Sequence, residues 1–274
     1  MSGVSRWRLE NADVCKVRRG VWTPAAAPDS LAARCAAALL VLPPGTVISH
    51  HTAAELRGLP APESKELHVT VPGRTAPRVD GIRAHLGMVG AAVELYAGLP
   101  LTTRPRLWLD LAGEIDRDEL IVLGDAILRP GRVRIAHLAA AIEAAGARRG
   151  VRTARGALPL LETKVDSPQE SRTRLILING GLGRPVVNEP VYDSAGGWIA
   201  CPDMKYPLER VPVEYEGAHH RTKEQAARDI RRDEQYRDEG WFLVKVVDND
   251  LKHPALLVER VRRQLEIGRR LHCG

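Results

Sequence analysis

The chain has 274 residues and a mass of 30.0 kDa, a length that favours two domains and allows folding without disulfides or a structural metal. Hydrophobic residues make up 44% and charged residues 27%, which is typical of a globular protein and excludes extensive disorder. The longest apolar run, residues 35–42, is far shorter than the roughly 20 residues of a membrane span. The first residues lack the apolar segment of a secretory signal, so we expect a cytoplasmic protein with reduced thiols.

The formal net charge of +6 and the sequence pI near 9.3 favour a polyanionic partner, which we expect to be DNA rather than a membrane. Basic residues concentrate between Arg129 and Arg184. Such a stripe would neutralise phosphates and make binding sensitive to salt, although a solvated helix face and linker is an equal alternative. The predicted DNA-binding arginines of this stripe are Arg148, Arg149, Arg152 and Arg155.

Residues 1–98 alternate short helices and short strands. An Ala/Leu-rich helix over 31–42 ends at two prolines, and Ser49 is placed to cap a second helix that ends at Gly58. Alternating residues over 66–71 and 81–85 predict two strands. A helix followed by a short sheet is the outline of a winged-helix-like module.

Residues 99–164 follow as a helical connector with a basic linker. Helices are predicted from Arg104, over 116–128 and over 135–145, and we place the domain boundary in the poorly periodic segment 148–164. The secondary-structure elements predicted for the segment 165–274 follow a different order, namely helix, strand, hairpin, helix, strand and helix. The chain is therefore predicted to be an α/β protein, α+β overall, with a mixed sheet in its last segment.

The most informative stretch for chemistry is residues 201–220. If it forms a hairpin with its turn at 208–209, antiparallel pairing places Asp203 opposite Glu214, and period-two alternation puts Glu216 on the same face. Like charges that face each other destabilise a sheet, and a divalent cation between them would remove that cost. Solvated carboxylates on an irregular strand are the alternative, since Pro212 cannot donate to a ladder.

Hard carboxylate oxygens at Asp203, Glu214 and Glu216 suit Mg²⁺ or Mn²⁺ better than zinc. A metal held there could activate water and offset charge on phosphorus during hydrolysis. His219 or His220 would then be within reach to shuttle a proton or to bind a phosphate oxygen.

Several separated motifs between Val165 and Val247 occur in a specific order. This region resembles actinobacterial proteins related to the very-short-patch-repair endonuclease, within the PD-(D/E)xK nuclease superfamily. The resemblance implies a restriction-endonuclease-like αβββαβ domain and DNA as substrate. The matching positions are Glu170, Asp203, Glu214, Glu216, His219 or His220, Asp229, Arg232 and Gly240-Trp241.

The resemblance implies a role for each carboxylate. Asp203 and Glu214 would bind the metal, Glu216 would be a third carboxylate, and Glu170 would complete the acidic cluster or position water. Two departures stand out: Glu216 replaces the usual Asp, and no lysine follows Glu214 at the motif position, although Lys205 lies nearby. Glu170 is also explained by a capping box.

The N-terminal half resembles the antitoxin of abortive-infection (AbiEi-type) systems, which implies a winged-helix DNA-binding unit. The matching phrases lie at residues 17–22, 49–58, 67–71 and 99–103. Arg18 and Arg19 would contact phosphates, and Arg57 would lie near a groove-facing helix. The remaining histidines of this half lack metal-ligand spacing and are interpreted as structural: His50, His51, His68 and His85.

Two functions of different classes follow. The first is a metal-dependent DNA endonuclease of the very-short-patch-repair-like type that uses Mg²⁺ or Mn²⁺. The second is a DNA-binding transcriptional regulator or antitoxin whose nuclease-like domain is inactive, with a cognate toxin as its partner. Whether the enzyme nicks or cuts both strands depends on whether it forms a homodimer, which the sequence leaves open.

Overall fold

The computed structural model describes residues 13–18, 20–87, 90, 92–217 and 223–272. Helices and mixed sheets alternate along the chain, which confirms the predicted α+β class. The chain forms two compact units. The first comprises Met1–Leu123 with Val133–Pro159, and the second comprises Gly124–Arg132 with Leu160–Gly274.

The first unit contains an antiparallel hairpin and a five-stranded mixed sheet. Strands β1 (Val14–Arg18) and β2 (Val21–Pro24) form the hairpin. The strands of the sheet are β3 (Val47–Ile48), β4 (Leu67–Val71), β5 (Ile82–Leu86), β6 (Val93–Tyr96) and β7 (Leu99–Thr102). Their order is β5-β4-β3-β7-β6, with parallel pairing in β4–β5 and β3–β7 and antiparallel pairing elsewhere.

Helices accompany this sheet. They are α1 (Leu31–Leu39), α2 (His50–Leu56), α3 (Arg104–Leu111), the first part of α4 (Arg117–Leu128), α5 (Ile135–Ala144) and α6 (Val151–Ala157). Helix α2 contacts β4, and α3 contacts both α2 and α5. Trp108 of α3 is fully buried, and its indole Nε1 donates a hydrogen bond of 2.8 Å to the Leu120 carbonyl oxygen. This bond satisfies the one polar atom of the largest core side chain.

The first unit differs from the winged-helix-like outline that the sequence predicted for residues 1–98. The described part of that segment contributes four of the five strands of the mixed sheet, and β7 completes it. The predicted connector, residues 99–164, is divided: most of its helical residues belong to the first unit, while 124–132 and 160–164 belong to the second. The reason is that strand β7 and helix α3 complete the sheet and core which the first segment begins.

The second unit is built on a four-stranded mixed sheet in the order β13-β12-β11-β8. Strand β11 pairs antiparallel with β8 and β12, whereas β12 and β13 are parallel and are connected through helix α8. A separate two-stranded ribbon joins β9 and β10. The strands are β8 (Val186–Val187), β9 (Val191–Tyr192), β10 (Trp198–Ala200), β11 (Met204–Tyr206), β12 (Val211–Tyr215) and β13 (Val244–Val246).

Four helices accompany this sheet: α7 (Pro168–Asn179), α8 (Lys223–Asp238), α9 (Asp248–Leu251) and α10 (Pro254–His272). The predicted start of α7 is confirmed, because the Ser167 hydroxyl accepts a 3.2 Å hydrogen bond from the Glu170 amide. Helices α7 and α10 contact each other and strand β12. Between them and the sheet lies an apolar core that includes Leu177, Val213 and Leu265.

The turn of the β11–β12 hairpin is held against the last helix. A Cβ at Gly268 of α10 would overlap the carbonyl oxygen of Glu209, so only glycine allows this close approach. Arg269 adds a 3.0 Å hydrogen bond to the Glu209 carboxylate. The hairpin that carries Asp203 and Glu214 is therefore fixed at its turn. Among the described residues, no helix is both long and apolar enough to cross a membrane.

Candidate active site

Strands β11 and β12 pair in the register that the sequence predicted. Met204 lies opposite Val213 and Tyr206 lies opposite Val211. Continuing this register by one residue places Asp203 opposite Glu214. Because Val211 and Val213 point into the core, the alternating Glu214 side chain points to the other face of the sheet.

Glu170 lies in the first turn of α7, and its charge acts on Asp203. Its side chain is buried, and its Oε2 atom accepts a 3.0 Å hydrogen bond from the Asp166 amide. Helix α7 is anchored by a buried ion pair of 2.8 Å between Arg174 and Asp125. The structure thus brings together three of the predicted carboxylates, those of Glu170, Asp203 and Glu214.

The environment of Asp203 favours its neutral form. Burial raises the pKa of Asp203 to about 7, and the negative charges of Glu170 and Glu214 add to this effect. A hydrogen bond of 2.6 Å from the Tyr215 amide to Oδ2 acts in the opposite direction. A carboxyl with a pKa near neutrality among other carboxylates is typical of a functional site.

Glu214 is paired with residues of helix α8. Its Oε2 atom lies 2.9 Å from the guanidinium of Arg232, and the Tyr236 hydroxyl donates a 3.3 Å hydrogen bond to Oε1. Burial raises the pKa of Glu214, although Arg232 and Tyr236 oppose this shift. Asp229 and Arg232, three residues apart on the helix, form an ion pair of 3.7 Å, but the closer contact of Arg232 is with Glu214.

Sequence reasoning missed Lys245. This residue lies opposite Glu214 in the parallel register of β12 and β13, and its Nζ atom lies 3.2 Å from Glu216 and 2.5 Å from Asp233. Burial lowers the pKa of Lys245, but the hydrogen bonds to these two carboxylates outweigh it and leave the pKa raised. The sequence feature that could have indicated Lys245 is a single lysine within an otherwise apolar strand.

The oxygen atoms of the four predicted carboxylates do not lie close enough together to surround one metal ion. Among the described residues, the set of three side chains whose ligand atoms all lie within 4.8 Å is His50, His85 and Glu114, not a set from the acidic cluster. Two facing carboxylates nevertheless suit Mg²⁺, which is usually bound by one or two carboxylates together with waters and substrate phosphates.

Three predicted residues lie outside the described residues: Arg19, His219 and His220. Arg18 ends strand β1, and the structure describes its backbone position only. The proposed proton shuttle and the phosphate contacts of the first hairpin therefore stay predictions.

The prediction that Arg57 faces a DNA groove conflicts with its surroundings. Its side chain is 1% exposed and donates hydrogen bonds of 2.6 Å to Glu94 and 2.7 Å to the Thr102 carbonyl oxygen. Arg148 likewise forms an ion pair with the buried carboxylate of Asp110. Both arginines stabilise the first unit because a buried carboxylate or carbonyl oxygen requires a donor.

The other three arginines of the predicted basic stripe are exposed. Arg149 and Arg152 present their side chains to solvent, and Arg155 makes only a long ion pair of 4.0 Å with Glu143. These residues are free to contact phosphates, as long basic side chains at a surface do.

The four histidines interpreted as structural lie in the first unit. Burial lowers the pKa of His50 to about 2, with further lowering by His85 and His68. Burial, together with His51 and His85, lowers the pKa of His68 to about 3. Both imidazoles are therefore neutral at physiological pH.

Comparison with known proteins finds relatives in Mycobacterium tuberculosis. The chain is 29% identical over 265 residues to the uncharacterized protein MT2308 of strain CDC 1551 / Oshkosh and to the uncharacterized protein Rv2248 of strain ATCC 25618 / H37Rv. Each match covers 96% of this chain and 96% of the relative, so the similarity extends through both units. No protein-family model matches the chain.

Proposed function

We propose that the protein is a metal-dependent DNA endonuclease that hydrolyses phosphodiester bonds. The observation that carries the proposal is the hairpin register that sets Asp203 opposite Glu214, with the charge of Glu170 acting on the same site. Carboxylates that face each other across a sheet are costly unless a cation compensates them. The order of helix and strands in the second unit supports the restriction-endonuclease-like domain that the sequence resemblance implies.

The donor set suits Mg²⁺ or Mn²⁺. Asp203 and Glu214 would hold the ion through hard carboxylate oxygens, with Glu216 as a third carboxylate. When bound, the ion would polarise a phosphate oxygen and lower the pKa of a bound water. The Tyr215 amide fixes the orientation of Asp203 through its 2.6 Å hydrogen bond.

Other residues of the chain would act on substrate and water. Glu170 would orient the attacking water and accept its proton. Lys245 would stabilise negative charge on the phosphate and takes the role of the lysine that is missing after Glu214. His219 or His220 remains the predicted proton donor to the leaving oxygen.

DNA is the proposed partner, and the cytoplasm is the proposed location. Arg149, Arg152 and Arg155 supply exposed positive charge that would bind the DNA backbone without reading its sequence. A homodimer would cut both strands, whereas a monomer with one site would nick.

A second function, a DNA-binding regulator or antitoxin with an inactive nuclease-like domain, is favoured by the ion pairs of the acidic cluster. Arg232 neutralises Glu214 and Lys245 neutralises Glu216. Protein cations that already occupy these carboxylates compete with a metal ion. This function predicts DNA binding without turnover and a cognate toxin as partner.

The test is cleavage of supercoiled plasmid in a titration of Mg²⁺ and Mn²⁺. Wild type is compared with Asp203→Asn and with Asp238→Asn, which makes the same chemical change at an exposed position of α8. We expect wild type and Asp238→Asn to relax or linearise the plasmid. Asp203→Asn should lose at least about a hundredfold in rate, because a metal ligand is removed.

Equal cleavage by Asp203→Asn and wild type would refute the proposed site. Absence of metal-dependent cleavage by wild type on supercoiled, linear and mismatched DNA, together with retained DNA binding, would instead support the regulator. Calorimetry with Mg²⁺ on the same samples distinguishes the two, since only the nuclease requires Asp203-dependent metal binding.

A further inference from the structure

Four histidines and one glutamate meet in the first unit, far from one another in the sequence. His50 and His51 begin helix α2, His68 lies in β4, His85 lies in β5, and Glu114 follows α3. The rings of His50 and His85 stack with centroids 3.6 Å apart, and the rings of His68 and His85 lie 5.1 Å apart. The parallel pairing of β4 and β5, which sets His68 beside Arg83 and Thr70 beside His85, brings these side chains to one place.

Three of these residues form a set with metal-ligating potential. His50, His85 and Glu114 each offer one ligand atom, and these atoms all lie within 4.8 Å of one another. Ligands of a tetrahedral zinc ion lie about 3.4 Å apart, given zinc bonds of roughly 2.1 Å. To close the set around an ion, the ligand atoms would move closer by more than an ångström and the stacked His50 and His85 rings would turn toward a common point.

His51 contacts oxygen atoms through both of its ring nitrogens. Its Nδ1 atom lies 2.8 Å from the Pro62 carbonyl oxygen, which only accepts, so Nδ1 carries the proton. Its Nε2 atom lies 3.1 Å from Glu114 Oε2, which also only accepts as a carboxylate. The His51 ring thus joins the Glu114 carboxylate to the segment that contains Pro62.

His68 and His85 are arranged in a similar way. The Ser64 hydroxyl donates to the Glu66 carbonyl oxygen, so it accepts from His68 Nε2 at 3.0 Å. His68 Nδ1 is then an acceptor, and the His85 Nε2–H group donates a 3.1 Å hydrogen bond to it. His85 Nδ1 consequently has a lone pair, which lies 3.8 Å from Glu114 Oε1.

The Glu114 carboxylate lies between two imidazoles, 3.1 Å from His51 Nε2 and 3.8 Å from His85 Nδ1. Within the described part of the chain, the arginine paired with it is Arg83, whose exposed guanidinium lies 3.9 Å from Oε1, beyond hydrogen-bond distance. Glu114 is only partly buried, and its oxygen atoms and the surrounding imidazole nitrogens are all groups that bind metal ions.

The outer nitrogen atoms of the histidines are held as they are in metal sites. Histidine ligands usually bond their second ring nitrogen to a carbonyl or hydroxyl oxygen, which fixes ring orientation. His51 does so with Pro62, and His50 Nδ1 lies 2.8 Å from the buried Ser49 hydroxyl, which also accepts from Thr70. His50 has φ of +49°, an uncommon conformation that its surroundings must stabilise.

We propose that this cluster binds one Zn²⁺ ion, with His50, His85 and Glu114 as ligands and with His51 and His68 as positioning residues. Imidazole nitrogens with one carboxylate are a donor set that zinc prefers in proteins. The ion would tie together the start of α2, strand β5 and the segment after α3. It is independent of the acidic site in the second unit.

The test is zinc binding by the full chain. Metal is removed with a chelator, Zn²⁺ is titrated by calorimetry with Mg²⁺ in excess, and the zinc content is measured by mass spectrometry. Wild type, Asp203→Asn and the control His137→Gln, at an exposed position of α5, should each bind one Zn²⁺. Glu114→Gln and His85→Gln should each weaken zinc binding at least tenfold.

Wild-type protein that binds no stoichiometric Zn²⁺ would overturn the proposal whatever the variants do. So would affinities unchanged in both Glu114→Gln and His85→Gln, with folding verified by circular dichroism. If one variant fails to fold, the visible absorption spectrum of wild type with bound Co²⁺ tests the site. Tetrahedral coordination that includes histidine gives intense absorption and would support the proposal, whereas the weak absorption of adventitious octahedral coordination would overturn it. Zinc binding in Asp203→Asn separates this result from the nuclease test.

Discussion

Lys245 of β13 lies directly opposite Glu214 of β12, and the two strands are parallel. The connection between the strands includes helix α8, so 30 residues separate two side chains that share one face of the sheet. The nitrogen of Lys245 also lies 3.2 Å from Glu216. Under the proposed nuclease function, Lys245 would supply from the neighbouring strand the lysine that is absent after Glu214.

Replacing Lys245 by Met should lower the rate of plasmid cleavage by about a hundredfold, because a cation that stabilises phosphate charge is lost. Lys245→Arg should retain more activity than Lys245→Met. The measurement is the initial rate of plasmid relaxation at saturating Mg²⁺. Lys252→Met, which removes an exposed lysine of the same unit, should cut at the wild-type rate, and equal rates for both Met variants would contradict the role of Lys245.

The stability of metal-free protein should depend on pH through Asp203. Its pKa is raised from the ordinary value of 3.8, which applies to the unfolded chain, to about 7 in the folded state, so the native state binds more protons between these values. The free energy of unfolding should therefore fall as pH rises from about 4 to about 7, by at most about 1.4 kcal/mol per pH unit.

Urea unfolding of wild type and Asp203→Asn across this pH range tests the expectation. Asn cannot ionise, so the variant should show a shallower slope of unfolding free energy against pH. Asp238→Asn should keep the wild-type slope. Parallel curves for wild type and Asp203→Asn would show that neither burial nor the neighbouring carboxylates raise the pKa of Asp203 in the folded state.

Removal of the Arg232 guanidinium should destabilise the second unit. Arg232→Ala leaves the buried Glu214 without its 2.9 Å ion pair, and we expect a loss of about 1–3 kcal/mol in the free energy of unfolding. The exposed neighbour Arg231→Ala should change it by less than about 0.5 kcal/mol. In a double-mutant cycle, Glu214→Gln should reduce the cost of Arg232→Ala, and additive losses would argue against the pair.

Replacing Arg57 should lower the stability of the protein, whereas replacing Arg152 should affect DNA binding and leave stability nearly unchanged. Arg57→Ala removes a buried guanidinium and its hydrogen bonds to the half-exposed Glu94 and to the Thr102 carbonyl oxygen, and should lower the free energy of unfolding by about 1–3 kcal/mol. Arg152→Ala should leave stability within about 0.5 kcal/mol and lower the salt dependence of DNA binding by about one phosphate contact. Urea unfolding and a salt titration of DNA binding on both variants measure this contrast. An unchanged salt slope in Arg152→Ala would exclude that arginine from the DNA contact.

Local sequence patterns were sufficient to predict several parts of the structure. The Ser167-Pro168 signal located the start of α7, because an N-cap depends only on residues within one turn. The turn at 208–209 determined the facing of Asp203 and Glu214, since the register of a hairpin follows from its loop length. Because an N-cap and a hairpin register depend on nearby residues, the sequence was sufficient to predict the positions of Glu170, Asp203 and Glu214.

The sequence by itself therefore determined the α+β class, most helices and the hairpin register, all of which follow from short-range periodicity and turn chemistry. Only the tertiary structure decided the place of Lys245, the burial of Arg57 and the meeting of His50, His85 and Glu114. Each of these depends on which distant strands and helices become neighbours. That choice is made by packing of the whole unit, which no local pattern encodes.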